Sequence, residues 1–224
     1  MKKLIAIVLA VVCICSLSGC SHNDAEAMQL CIDGLNNLNA QNEYHYTSYT
    51  LEGTSLDAMV QQEPREYWLS NEDYLYFTQQ GGIPIWTVSA EGVTYWAEGI
   101  EPDDLEWKLA DGNAPAPSIL KFDLSTFLVE SNITQGDTRI ITLIYDNSKL
   151  ADGDITSESR LVIYFKKDNT IKEVWYTIQF SLPDAEGKAS NGYLTQVTEY
   201  LEIADGGVAA KIQEYYHLAQ ESNN

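Results

Sequence analysis

Three histidines, one interior cysteine and many carboxylates are the side chains with which this chain could do chemistry. Hydrolysis by an activated nucleophile needs an imidazole beside a hydroxyl or thiol, oriented by a third group. The chain offers only His22, His45 and His217. His22 lies in a short polar stretch before the first helical segment. His45 lies among tyrosines on a strand, where cross-strand packing is the expected role. His217 lies near the end of the last helical segment. A triad would have to be built from these three, and they belong to unrelated elements. The motifs H-E-x-x-H, G-x-S-x-G, G-x-G-x-x-G, C-x-x-C and the P-loop are missing from the sequence. The densest carboxylate groups are Glu101, Asp103, Asp104 and Glu106, and then Asp152-Gly153-Asp154. Neither has the alternating ligands, sixth-position glycine and twelfth-position glutamate of an EF-hand calcium loop, so both read as solvated loops. The expectation is a protein without catalytic residues, metal or cofactor.

Aromatic side chains are the most suggestive feature. Tyr44, Tyr46, Tyr49, Tyr67, Trp68, Tyr74, Tyr76, Phe77, Trp86, Tyr95 and Trp96 crowd into residues 44–96, the first sheet segment. β-Propensity and core filling account for most of them. Adjacent pairs such as Tyr67-Trp68 and Tyr95-Trp96 must point to opposite faces of a strand, so both faces carry rings. Either a helix covers the second face or that face forms an apolar groove. Tyr46, Trp68, Tyr76, Trp86 and Trp96 are the candidate ligand-binding residues for such a groove.

The elements that position them follow from periodicity. Residues 24 to 40 place Ala25, Met28, Cys31, Leu35 and Leu38 on one helical stripe. Asp24 is the expected N-cap, Gly34 weakens the middle, and Cys31 reads as a small buried hydrophobe. Period two then takes over. Strands are expected at 42–53, 65–70, 73–79, 83–89 and 92–98, an antiparallel meander. Residues 99–118, with three prolines and five acidic residues, break the pattern, although 104–109 could make one helical turn. Residues 119–131 are expected to form a mid-chain helix with Leu120, Leu124, Phe127 and Leu128 on one side. Strands follow at 139–146, 159–168, 170–182 and 191–204, with a tight hairpin at Lys167-Asp168-Asn169-Thr170. Asp205 is the expected cap of a last helix, with Val208, Ile212, Tyr215 or Tyr216, and Ala219 inward. The fold class is α+β: a strongly curved antiparallel sheet of about eight or nine strands with three helices.

The chain opens with Met1-Lys2-Lys3 and an apolar stretch of thirteen residues, 4–16, that closes on Ser16. That run is too short to span a bilayer core of about 30 Å, which takes roughly 20 residues, and fits the middle of a secretory signal. It ends in Leu17-Ser18-Gly19-Cys20, which resembles the lipobox of bacterial lipoproteins. The resemblance implies a signal peptide at 1–19, a diacylglyceryl thioether on Cys20, cleavage before it, and a membrane-tethered protein on the extracytoplasmic face. Two acyl chains hold a protein stably on a membrane. Residues 20–23 would form a tether reaching about 10 Å, and 24–224 a single domain. The mature chain would carry 11 basic against 33 acidic side chains, a net charge near −22. That excludes nucleic acid, and adhesion to anionic lipid through protein charge. Cys31 would be its one cysteine besides Cys20, so no internal disulfide is available.

The lipobox, the leading helix, the first strand EYHYTSYTLEG, the meander, the mid-chain helix and the long hairpin 159–182 together resemble the LolA-like lipoprotein-carrier superfamily in element order. The resemblance implies a half-open β-barrel whose helices plug the concave side, where several members hold acyl chains. It transfers no binding residues, because no motif matches residue for residue. The function expected from it is non-enzymatic binding of a lipid or other apolar ligand in the concave face. A cell-surface structural or protein-interaction module, and a glycan-binding accessory lipoprotein, stand beside it.

Overall fold

The computed structural model describes residues 24–100, 105–111, 117, 119, 121–149, 159–183, 189–204 and 207–223. The lipobox, the tether with His22, Asp103-Asp104, Asp152-Gly153-Asp154 and Asp205 lie outside the described residues.

The described residues form two α-helices and one twelve-stranded antiparallel sheet. Helix α1 spans residues 24–39. The strands are β1 (Glu43–Gly53), β2 (Met59–Gln61), β3 (Arg65–Ser70), β4 (Asp73–Gln80), β5 (Ile83–Ala90), β6 (Val93–Glu98), β7 (Lys108–Leu109), β8 (Phe127–Gln135), β9 (Thr138–Tyr145), β10 (Arg160–Phe165), β11 (Ile171–Pro183) and β12 (Ala189–Tyr200). Helix α2 spans Gly207–Ser222. The strand order is β7-β6-β5-β4-β3-β1-β12-β11-β10-β9-β8, with β2 added to β1. The central β1–β12 pairing joins the two halves, and β7 and β8 are separate edges, so the sheet is open.

The mid-chain helix expected at 119–131 does not form. Asp123 accepts from the Ser125 N–H at 3.0 Å and caps a single 3-10 turn, Leu124–Thr126. Phe127 then enters β8, whose residues pair with β9 from Phe127↔Tyr145 to Gln135↔Thr138. The β-branched residues Val129, Ile133 and Thr134 suit that pleat, and a register shift between Val129 and Ser131 breaks strict alternation. The helical spacing of Leu120, Leu124 and Leu128 was therefore coincidental: Leu128 is 49% exposed while Phe127 is buried. Residues 108–109 pair with β6 instead of turning helically. With β2, β7 and β8 the sheet exceeds the eight or nine strands expected. The five meander strands and the four later ones occur where the alternation placed them.

The helices cover opposite faces of the sheet. Under α2 lie Trp68 of β3, Leu75 of β4, Val88 of β5 and Ala97 of β6. Under α1 lie Ile141 and Leu143 of β9, Leu161 and Ile163 of β10, and Val174 of β11. Trp68 is the cross-strand partner of His45. Val174 is in register with Thr198, and Thr198 with Ser48. His45 and Ser48 are three positions apart on β1, and successive strand residues alternate faces. The two apolar cores therefore lie on opposite sides. This differs from the implied arrangement in which helices share one concave side.

On α1 the inward residues are Ala27, Cys31, Leu35 and Leu38, and Ala25 is exposed. Gly34 has a packing reason: a Cβ there would stand 2.7 Å from Phe165 Cε1. Its lack of a side chain lets the helix approach β10 and β11 closely. On α2, Val208, Ile212, Ala219 and both Tyr215 and Tyr216 are buried.

Candidate functional site

The five aromatic candidates divide between the two faces. Tyr46, Tyr76 and Trp96 belong to one cross-strand row, because Tyr46 pairs with Tyr67, Tyr67 with Tyr76, Tyr76 with Thr87 and Thr87 with Trp96. The Tyr46, Tyr67 and Tyr76 rings form a ladder, with Tyr46–Tyr67 centroids 4.9 Å apart and Tyr67–Tyr76 5.7 Å apart. Trp68 and Trp86 lie on the other face beneath α2, where Trp86 sits 5.1 Å from Tyr215 and the Lys211 ammonium lies 4.5 Å over Trp68. Tyr46 and Trp68 are buried. The cleft beside the ladder, between Tyr46, Tyr67 and Ile119, is only about 110 Å³, below the roughly 300–1,000 Å³ of small-molecule sites. The five do not line one groove.

An apolar groove of about 490 Å³ runs elsewhere, between α1 and the segment that enters β8. Met28, Ile32 and Leu35 form its helical wall, and Phe122, Leu124 and Phe127 the other. Asn36, Asn39, Asp123 and Ser125 supply its polar rim. The helical wall from residue 28 to residue 39 is about 16 Å long. Periodicity placed Met28 and Leu35 on the inward stripe. Ile32 and Phe122 went unnoticed. The signals that could have found them were an apolar shoulder beside the Cys31 stripe, and Asp123 two residues before Ser125, the spacing of an Asx turn.

A second cleft, of about 510 Å³, opens between the C-terminal half of α1, the start of β1 and the β10–β11 turn. Asp33, Glu43, Lys166 and Asp168 stand in its walls, so it is mixed in character. His45 lies at its edge. Its ring stacks on Trp68 at 4.9 Å, its Nε2 lies 2.7 Å from Glu66 Oε1 and its Nδ1 3.2 Å from the Glu202 carbonyl oxygen. Both ring nitrogens lie within hydrogen-bond reach of protein oxygens. This is the cross-strand packing role expected of it. His217 is exposed.

Cys31 is fully buried, and burial pushes its thiol up to about 12. The thiolate is the reactive form, so this cysteine is inert in the folded protein. No cluster of three or more histidine, cysteine or acidic side chains among the described residues is arranged to hold a metal ion. No helix among them is long and apolar enough to cross a membrane. No protein-family model matches this chain, and no curated protein matches it.

Proposed function

We propose that the protein is a non-enzymatic, membrane-anchored extracytoplasmic lipoprotein that binds a lipid or another apolar ligand along α1. The observation that carries the ligand reading is the groove between α1 and residues 122–127: about 490 Å³, six apolar wall residues and a polar rim at one side. That composition and size suit a small apolar ligand with a polar end. The anchor rests on Leu17-Ser18-Gly19-Cys20 and the apolar run before it. Met28, at one end of the groove, lies about one turn from the first described residue of α1. Kinship with lipoprotein carriers belongs to the same proposal. The open sheet supports it; the helices on opposite faces count against a shared concave filling.

The test is native mass spectrometry of residues 21–224, expressed in a bacterium and purified without detergent, with a fluorescent fatty acid titrated into the same material. The expected result is a co-purifying mass of a fatty acid or phospholipid, saturable uptake of the probe, and loss of both in Ile32→Arg. A clean mass together with no saturable uptake, or uptake unchanged by Ile32→Arg, sinks the groove. The anchor is tested separately: Cys20→Ser leaves the full chain unlipidated, and acylation persisting in that variant would overturn it.

A further inference from the structure

Two glutamates stand directly opposite each other on the α2 side of the sheet, in the half that α2 does not reach. Glu173 of β11 is the register partner of Glu199 of β12. Like charges placed opposite on neighbouring strands destabilise a sheet. None of the ion pairs among the described residues involves either carboxylate. The nearest acid along the same cross-strand row, Glu66, has its carboxylate 2.7 Å from His45 Nε2. Arg160, on the same face of β10, is engaged by Glu130 at 3.5 Å.

Three aromatic rings surround this pair. Tyr164 is the β10 partner of Glu173. Trp175 is two positions along β11, on the same face, and its indole N–H donates to Glu173 Oε1 at 2.6 Å. Tyr49 reaches the patch through Val197, which is in register with both Trp175 and Tyr49. The Tyr164 and Trp175 rings are 5.9 Å apart. Burial, and then the charges of Glu173 and Glu199, hold the Tyr49 phenol above its ordinary value. All three rings are half-buried, with part of each surface open to solvent. Helix α2 packs on β1 and β3 to β6, and the α1 core lies on the other face. Among the described residues no helix covers the β10–β12 half of the α2-side face. The same face continues outward to two exposed aliphatics, Leu128 at 49% and Ile133 at 53%.

We infer that this face docks a basic segment of a partner protein, with an arginine or lysine side chain seated between Glu173 and Glu199 and flanked by Tyr49, Tyr164 and Trp175. A cation relieves the glutamate repulsion and gains from the ring faces, and guanidinium in particular stacks on them. A neutral glycan would gain from the rings and leave the repulsion in place. An anionic partner would add to it. The flanking Leu128 and Ile133 supply the apolar surface that protein interfaces bury around such an anchor. This inference does not depend on the groove along α1.

The experiment is calorimetric titration of residues 21–224 with a hexa-arginine peptide, on the wild type, on Glu173→Gln/Glu199→Gln, and on Glu63→Gln/Glu221→Gln. The third removes the same charge at two exposed sites elsewhere. The expected result is binding weakened roughly tenfold in the first pair and unchanged in the second. The unliganded Glu173→Gln/Glu199→Gln protein is expected to melt above the wild type, because a like-charge pair has gone. Equal weakening in both pairs would reduce the effect to diffuse attraction and overturn the site. So would the absence of binding, a lower melting temperature in the Glu173→Gln/Glu199→Gln protein, or saturable binding of a neutral oligosaccharide in place of the peptide.

Discussion

At the scale of single residues, this protein keeps one thiol and several phenols protonated by burying them. Burial pushes the Cys31 thiol and the Tyr176 phenol each up to about 12. It raises Tyr46 and Tyr200 further still, with neighbouring tyrosines adding to the effect. All four are acids that the fold holds neutral. In the unfolded chain the cysteine releases its proton near its ordinary value of about 8.5 and the tyrosines near about 10. The unfolded state then binds fewer protons than the native state, so stability is full below about pH 8 and falls as pH rises through that window toward the folded values. We expect the urea midpoint to decline steadily between about pH 9 and pH 12, with a thiol-specific disulfide reagent at pH 8 modifying Cys31 only once the protein has unfolded. Rapid labelling of Cys31 in the native protein would contradict the buried position. Its inertness was legible from its place on the α1 stripe. The pairing of Glu173 with Glu199 was not, because a sequence does not state strand register.

At the scale of elements, α2 depends on a residue far away in the chain. Its first N–H groups need acceptors that the helix itself does not provide. The Glu43 carboxylate supplies them, accepting from Val208 and Ala209 at 3.2 Å each. A carboxylate also suits the positive end of a helix. Glu43→Ala should cost about 0.5–2 kcal/mol, read as a lower thermal midpoint and faster amide exchange at residues 208–210. Glu43→Gln should recover part of the loss, since its amide oxygen still accepts. Equal stability of Glu43→Ala and wild type would show the cap to be unimportant. Asp205, the cap expected from the sequence, lies outside the described residues, and nothing local marks Glu43 as an acceptor for this helix. The mid-chain helix failed because a distant partner decided the outcome. Residues 119–131 carry apolar side chains at a spacing both periods tolerate, and β8 exists because β9 is there to pair with it.

At the scale of the whole molecule, one sheet carries two cores on opposite sides. The α2 core includes Trp68, Leu75, Val88, Ile212 and Tyr216, and the α1 core includes Cys31, Ile141, Leu161, Ile163 and Phe165. Each helix covers its own half, and among the described strands the β1–β12 pairing joins the halves. A chain ending at Ala204 therefore strips the cover from β3 to β6 and leaves the α1 core intact. We expect hydrogen exchange to show lost protection in β3 to β6 and retained protection in β9 to β11, with binding of a hydrophobic dye appearing. Uniform loss across both halves would show instead that the sheet unfolds as one unit. The sequence by itself determined the two terminal helices, nine of the twelve strands and the inertness of Cys31. These follow from periodicities of 3.6 and 2.0, which are local properties of the chain. It could not assign the helices to opposite faces, divide Tyr46, Tyr76 and Trp96 from Trp68 and Trp86, or assemble the groove from Met28, Ile32 and Phe122. Those arrangements depend on which strand pairs with which and in what register, and only the tertiary structure decides that.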